Sequence, residues 1–341
     1  MNSLVLTNFR IHKHLKLSWT KDYTLILGPN GSGKTTILEA LFLLSTTKSF
    51  RTNDDLEMIS DKEPFCKISF DFEDNIYEIV ISKEGKRVFI NNTECQKYSD
   101  YYGKFNAIIF SAIDPLYING SPGDKRKLFD MFFGQLDIEY LKTNAEYKNI
   151  IKDKNQLLKE KTVNLVLLDS FNDLICKYSE YINTKRKHYI DLLNQELTPK
   201  YKIKYLPNIN INDLKEILQN NQEKEILMQL SLYGAHKDDY LFYIDNQEAS
   251  IYASSGNARM LMIDLKFAFL SLIKKITKKS VILLLDDIFS ELDKNNIDLI
   301  IKRIPKEDHV FITSPKAITL PKGYQKIILK KQGVKYEQKQ I

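Results

Sequence analysis

The spacing of apolar and polar residues predicts strands and helices along the whole chain. Short runs in strand-like alternation predict strands over 3–9, 15–19, 24–27, 67–72, 77–82, 87–91 and 107–111. Strand-like runs return at 201–205, 240–244 and 249–252, and a long helix is predicted over 258–276. An entirely apolar strand follows over 281–285, and another strand is predicted over 309–312. This order predicts an α/β fold, with a mostly parallel sheet covered by helices.

A helical segment interrupts this alternation in the middle of the chain. Ser121, Pro122 and Asp124 form a helix start, with serine at the N-cap and proline at the first helical position. The pattern stays helical to about Pro199, and one apolar stripe steps by four and three residues: Leu167, Phe171, Leu174, Tyr178 and Tyr181. We interpret the stripe as the seam of a helical hairpin. The segment is predicted to be a helical lobe inserted into, or standing on, the α/β domain.

The sequence GPNGSGKT at 28–35 lies between a short apolar strand and an apolar helix. Strand, glycine loop and helix form the setting that a phosphate-binding loop requires. Backbone N–H groups of the loop can surround a polyphosphate, and the helix N-terminus adds partial positive charge. We therefore predict that nucleoside triphosphate is bound by Gly28, Pro29, Asn30, Gly31, Ser32, Gly33, Lys34, Thr35 and Thr36. Lys34 is expected to reach the β/γ-phosphates, and the Thr35 hydroxyl to ligate Mg²⁺.

A pair of aspartates follows the apolar strand over 281–285 and is a second candidate part of the nucleotide site. Asp286 is placed to hold Mg²⁺ beside Thr35, and Asp287 is the candidate to polarise the attacking water. An Asp-Asp pair also occurs in surface turns. The upstream phosphate loop favours the catalytic interpretation, with Asp287 and Lys34 as the catalytic residues.

Small polar residues precede the long helix over 258–276. Ser254, Ser255 and Gly256 offer hydroxyls and free N–H groups at a helix N-terminus, which is a second device for binding anions. An ordinary N-cap would use the same residues. A nucleotide sandwiched between two subunits would use such a second helix end.

Composition limits the class of protein. The chain has 341 residues, of which 43% are hydrophobic, enough for one large or two ordinary domains with a buried core. The apolar run from Val281 to Leu285 is far shorter than the roughly 20 residues of a membrane span. No signal-peptide pattern opens the chain, and three scattered cysteines, Cys66, Cys95 and Cys176, favour a reducing compartment without disulfides or zinc. We expect a cytoplasmic protein without a membrane partner.

Positive charge is concentrated in the predicted helical lobe. The net charge is +6, and residues 141–205 carry 13 Lys or Arg residues against eight Asp or Glu residues. Such a segment suits contact with a phosphate backbone, although a solvated lysine-rich surface would look the same. The candidates for DNA contact are Lys185, Arg186 and Lys187.

Together these motifs resemble the ABC-type ATPase heads of the SMC-like group, and most closely the RecF recombination-repair family. The resemblance covers nearly the whole chain through LTNFR at 6–10, GPNGSGKTTILEA at 28–40, KSFRT at 48–52, FSAIDPLYINGSPGDKRKLFD at 110–130, GAHKDD at 234–239, ASSGNAR at 253–259, LLLDDIFSELD at 283–293 and HVFITS at 309–314. In the family, 28–40 is the Walker A region, 253–259 the signature loop, and 283–293 the Walker B strand and D-loop. Asn257 and Ala258 stand where the family usually has glutamine.

The resemblance implies an ABC-type P-loop ATPase head, with a mixed sheet and an antiparallel β subdomain, over 1–114 and 206–341. The helical lobe would occupy 115–205. It also implies a weak, DNA-dependent ATPase of gap repair that recognises junctions of single- and double-stranded DNA and helps load recombinase. Partners of the RecR and RecO type and an ATP-dependent homodimer are implied as well. In that dimer Ser254 and Gly256 of one subunit would cap the γ-phosphate on the other.

Two other classes fit less of the sequence. The ATPase subunit of a membrane transporter would need a surface for membrane helices and typically a glutamate where Asp287 stands. A chromosome-organising SMC or Rad50-type protein would need coiled-coil arms of hundreds of residues, for which this chain has no room.

Overall fold

The computed structural model of the chain describes residues 2–305, 308–317, 323–330 and 338–340. The strands are β1 (Asn2–Phe9), β2 (His12–Trp19), β3 (Tyr23–Leu27), β4 (Phe65–Phe72), β5 (Asn75–Ser82), β6 (Gly85–Ile90), β7 (Thr93–Glu94), β8 (Asn106–Ser111), β9 (Tyr201–Leu206), β10 (Asp239–Ile244), β11 (Gln247–Glu248), β12 (Val281–Asp286), β13 (Val310–Ser314), β14 (Gln325–Ile328) and β15 (Gln338–Gln340). The helices are α1 (Lys34–Thr46), α2 (Tyr98–Tyr101), α3 (Pro122–Leu136), α4 (Ile138–Leu157), α5 (Leu165–Glu196), α6 (Leu214–Asn220), α7 (Gln222–Met228), α8 (Ala249–Tyr252), α9 (Ser255–Thr277) and α10 (Lys294–Arg303). Among the described residues, no helix is both long and apolar enough to cross a bilayer.

By its internal contacts the chain divides into two compact units. The first contains residues 1–112 and 273–341, and the second contains residues 113–272. The second unit therefore includes the segment 115–205 that was predicted as a helical lobe, together with residues 206–272. The later boundary falls within α9.

The first unit is built on two six-stranded sheets. One has the order β2-β1-β4-β5-β6-β7 with antiparallel neighbours, joined in part by turns of positive φ at Glu73–Asp74 and Asn91–Asn92. The other has the order β15-β14-β3-β13-β12-β8, in which β14, β3, β13, β12 and β8 are parallel. The predicted α/β class, with its mixed sheet and antiparallel β subdomain, is confirmed.

Helix α1 contacts strands of both sheets in this unit. Every residue of the helix except Thr35 is buried, which explains why its sequence from Ile37 to Leu44 is apolar except for Glu39. In the same unit, the Trp19 ring stacks on Phe70 at 5.8 Å and meets the edge of Phe311 at 4.9 Å. The pair of Trp19 and Phe311 brings the two sheets into contact.

The second unit contains the long helices α3, α4 and α5 and the sheet β11-β10-β9. Its predicted helix start is confirmed, because Ser121 Oγ accepts the Asp124 N–H and Pro122 opens α3. The predicted seam was wrong by one residue: α5 buries Leu168, Asn172, Ile175, Ser179, Ile182, Arg186, Tyr189, Ile190 and Leu193, whereas Leu167 and Leu174 are exposed. The buried stripe of α5 contains polar residues that have buried partners. A search for apolar spacing does not detect such residues.

The strand predicted over 249–252 was also wrong. The segment is the one-turn helix α8, closed by the Ala253 N–H to the Ala249 carbonyl at 3.1 Å. Only Ala249 is buried there, while Ile251 and Tyr252 are exposed. The alternation of residue types in this segment therefore does not correspond to a strand with one buried face.

Candidate nucleotide site

The glycine loop runs from the carboxyl end of β3 into the N-terminus of α1. Gly31 and Gly33 have φ values of +79° and +88°, in the left-handed region that favours glycine. A Cβ on Gly33 would also lie 2.3 Å from the buried His12 Nε2. The loop needs glycine at this position for both conformation and space.

The surface of the loop suits an anion. Pro29, Asn30 and Gly31 are exposed at its tip, and the first turn of α1 contains no acidic residue. A helix start with free N–H groups attracts negative charge. Ser32 Oγ is buried and has no partner among the described residues.

Lys34 is folded back onto the loop. Its Nζ donates to the carbonyl oxygens of Gly28 at 2.7 Å and Pro29 at 3.0 Å. An ammonium group has three donors, so one remains for a further acceptor. Burial lowers the pKa of Lys34, and the nearby charges of Asp287 and Asp286 oppose that shift.

The predicted acidic pair lies beside the loop. Strand β13 separates β12 from β3, and all three are parallel, so their carboxyl ends share one edge of the sheet. Thr35 Oγ1 donates to Asp286 Oδ1 at 2.9 Å. Burial raises the pKa of Asp286, whereas the hydroxyls of Thr313 and Thr35 lower it. The hydroxyl and carboxylate oxygens are hard donors of the kind that Mg²⁺ accepts, so Thr35 and Asp286 fit the predicted metal role.

Asp287 has a different environment from Asp286. Its backbone is left-handed, with φ +50° and ψ +28°, which is uncommon outside glycine. Its N–H donates to Thr313 Oγ1 at 3.0 Å. Its Oδ1 is buried and bonds to none of the described residues, so this atom has unused capacity to accept a hydrogen bond.

One buried carboxylate near the site was missed by the sequence reasoning. Glu39, on α1, is fully buried and accepts from Arg10 Nη2 at 2.7 Å, Arg51 Nη1 at 3.0 Å and Ser49 Oγ at 2.6 Å. The available signal was an acidic residue inside an otherwise apolar helix, since buried carboxylates require partners. The cluster ties α1 to the segments around Arg10 and Arg51, and the charge of Arg51 reaches far enough to lower the pKa of Asp286.

Ser254, Ser255 and Gly256 belong to the second unit and are exposed. The Asn257 N–H donates to Ser254 Oγ at 3.3 Å, and the Ala258 N–H to the Ser254 carbonyl at 2.9 Å. Ser254 therefore caps α9. Gly256 has open space around it, since a Cβ there would meet no atom from beyond its own stretch of helix within 4 Å. An exposed helix start of this form suits both an N-cap and an anion contact.

The structure corrects one of the predicted DNA contacts. Arg186 is 2% exposed, and its guanidinium bonds to Asp130 at 2.8 Å and Asp238 at 2.7 Å. A buried and fully paired guanidinium cannot reach a phosphate, so Arg186 serves the interior of the second unit. Lys185 is paired with Asp137 at 2.7 Å, and Lys187 is exposed.

Comparison with known proteins gives consistent matches over most of the chain. Residues 1–337 match the RecF/RecN/SMC N terminal domain family. The DNA replication and repair protein RecF of Acholeplasma laidlawii is 34% identical over 339 residues, covering 96% of this chain and 97% of that protein. RecF of Clostridium perfringens is 33% identical over 315 residues, covering 86% and 87%.

Solved structures agree with these matches. The structure of the recombination mediator protein RecF-ATP in the RecFOR pathway superposes with a TM-score of 0.90 at 25% identity, covering 98% of this chain and 96% of that one. An Smc head domain bound to part of ScpA gives a TM-score of 0.50 at 15% identity, which shows similarity of fold alone.

Proposed function

The chain belongs to the RecF family, and from that premise we propose that it is an ATP-driven DNA-binding protein of recombinational repair. The observation that carries the proposal is the hydrogen bond from Thr35 Oγ1 to Asp286 Oδ1. It joins the phosphate loop to the acidic strand end, which are the two parts that a P-loop ATPase needs in one place. The names of the matched relatives support the assignment to DNA repair.

In the proposed reaction, the loop N–H groups and Lys34 bind the phosphates of ATP. Thr35 and Asp286 would hold Mg²⁺, which supplies neutralisation of the charge on the transferred phosphoryl group. Asp287 orients the attacking water through its carboxylate. The unpartnered Asp287 Oδ1 supports this role, because it has no competing hydrogen bond among the described residues.

We further propose that ATP links two copies of the chain. Ser254 and Gly256 of one copy would contact the γ-phosphate bound by the loop of the other, and hydrolysis would release the pair. Their exposure at the start of α9 supports this proposal. A phosphate that is contacted by both copies gives the paired state the higher affinity for ATP, and this difference is what a nucleotide switch requires.

DNA is the proposed macromolecular ligand, at gaps and at junctions of single- and double-stranded DNA, together with mediator proteins of the RecR and RecO type. Contact through lysine and phosphate predicts binding that weakens steeply with salt and varies little with sequence. Lys187 remains a candidate contact, and Lys185 would have to exchange its bond to Asp137 for one to a phosphate. The relatives named above give no support to the alternative of a transporter ATPase.

Sedimentation of the full chain, with and without ATP and gapped DNA, tests the proposal. We expect one copy without nucleotide, two copies with ATP, and a faster species when gapped DNA is added. ATP turnover that rises with DNA would support the coupling. A chain that neither binds ATP nor sediments with DNA would refute it.

A further inference from the structure

Thr313 lies between the two acidic residues of the candidate site. It is fully buried on β13, directly opposite Asp286 in the register of the parallel pair β12 and β13. Thr313 was not among the site residues assigned from the sequence, although the segment 309–314 contributes to the family resemblance. We propose that Thr313 is a positioning residue for ATP hydrolysis, whose hydroxyl fixes Asp286 and the backbone of Asp287 together; this role rests on the proposed ATPase function.

The direction of the hydrogen bonds follows from the chemistry of the groups. The Asp287 N–H can only donate, and it lies 3.0 Å from Thr313 Oγ1. A hydroxyl has one hydrogen, and the nearest acceptor is Asp286 Oδ1 at 2.9 Å, compared with 3.4 Å for the Leu285 carbonyl. Thr313 therefore accepts from the peptide of Asp287 and donates to the carboxylate of Asp286.

This arrangement matters because Asp287 adopts a left-handed backbone conformation, which is uncommon for residues other than glycine. A non-glycine residue with φ near +50° needs support from its surroundings. Thr313 holds the N–H of Asp287, and Ser290 Oγ donates to its carbonyl oxygen at 2.8 Å. Both ends of the residue are thus fixed, while its carboxylate keeps the unpartnered Oδ1. Loss of the Thr313 hydroxyl would release one end and let the carboxylate change direction.

A neighbouring threonine separates this role from simple packing. Thr24, on β3, is also fully buried in the same sheet, but its Oγ1 bonds to none of the described residues. The sheet therefore accommodates a buried threonine without using its hydroxyl. Thr313 differs because its hydroxyl bonds to Asp286, the proposed metal ligand, and to Asp287, the residue proposed to orient the water.

The test compares steady-state ATP turnover and ATP affinity in the full chain with Thr313→Val, Thr313→Ala, Thr313→Ser and Thr24→Val. We expect Thr313→Val and Thr313→Ala to lower kcat by about 10²-fold, because a small misplacement of a catalytic group has that effect, while Kd for ATP stays within about twofold. Thr313→Ser retains the hydroxyl and should restore most of the rate. Thr24→Val should behave as the wild type.

Three results would overturn the inference. Unchanged kcat in Thr313→Val, with an active wild type, would refute the role of Thr313 alone. Loss of ATP binding in both Thr313→Val and Thr313→Ala would show that the hydroxyl serves the fold of the site. A wild-type chain that binds ATP without ever hydrolysing it would refute the proposed ATPase function, and this role with it.

Discussion

Thr35 Oγ1 lies 2.9 Å from Asp286 Oδ1, although the two residues are 251 positions apart in the chain. The contact places a hydroxyl at the start of α1 against a carboxylate at the end of β12. Each partner was identified from its own local sequence. The fold brings them together because β12 and β3 are parallel and only one strand separates them.

Lys34→Met should weaken ATP binding by about 100-fold or more. The substitution removes a positive charge that would bond to phosphate, and charge-assisted bonds contribute about 1.5–3 kcal/mol each. Titration with a fluorescent ATP analogue measures the effect. Lys83→Met, at an exposed turn of the first unit, is the control and should bind normally. Normal affinity in Lys34→Met would refute the assignment of the loop.

Asp287→Asn should bind ATP but lower kcat by about 10²- to 10³-fold, since the amide cannot accept a proton or polarise water as the carboxylate does. Asparagine tolerates the left-handed backbone, so the fold of the turn should persist. Single-turnover measurements separate binding from chemistry. Asp74→Asn, in an exposed hairpin turn, should leave turnover unchanged. If Asp287→Asn turned over at the wild-type rate, another residue would have to orient the water.

Ser254→Arg should leave ATP binding to the single chain intact and prevent ATP-dependent pairing. The serine is exposed at the start of α9, so arginine fits the single chain but would obstruct a second copy. Light scattering with ATP gives the mass. Ser170→Arg, exposed on α5, is the control and should pair. A paired Ser254→Arg variant would contradict the shared nucleotide site.

Arg186→Ala should destabilise the second unit by about 3–5 kcal/mol, because it leaves Asp238 buried without its cation and leaves Asp130 with Lys148 alone. Lys187→Ala should change stability by no more than about 0.5 kcal/mol. Urea unfolding compares the two variants. A DNA-binding defect in Arg186→Ala without loss of stability would restore the residue as a direct contact.

The free energy of unfolding should fall as the pH is lowered from 7.5 to 5, in part through His236. Burial lowers the pKa of His236 to about 4, compared with 6.5 for an ordinary histidine. Between these values the unfolded chain binds more protons, so the contribution is complete above pH 6.5 and is lost as the pH falls toward 4. By pH 5 the loss is about 2 kcal/mol.

His236→Gln should reduce this acid sensitivity, whereas His14→Gln, at an exposed position, should not. The structure identifies the relevant form of His236: Nε2 lies 3.1 Å from the Ser231 carbonyl, and Nδ1 lies 2.9 Å from the Tyr147 hydroxyl. A carbonyl can only accept, so Nε2 carries the proton and Nδ1 accepts from Tyr147. An unchanged pH dependence in His236→Gln would exclude this histidine as the cause.

The phosphate loop and the acidic strand end were predictable because each is encoded within a few residues. The glycine spacing at 28–33 is enough to predict the loop, and the apolar run before Asp286 is enough to predict the strand. By contrast, the Glu39 cluster depends on Arg10 and Arg51, which lie 29 and 12 positions away along the chain. No periodic pattern signals such a contact.

The seam of α5 shows a second limit. Asn172 accepts from Lys154 at 2.8 Å, and Arg186 pairs with two aspartates, so this helix buries polar residues that apolar spacing places outside. The predicted stripe therefore followed the wrong residues of a helix whose existence was correctly predicted. Only the partners on other elements determine which face turns inward.

The left-handed backbone at Asp287 also favours a short acidic side chain at this position. Aspartate and asparagine enter that region more readily than longer side chains, since their short polar groups can satisfy nearby peptides. Glutamate would carry the same charge but would reach one methylene further from a less tolerant backbone. The turn thus selects its amino acid by shape as well as by acidity, and an exchange of one carboxylate for the other would not be conservative.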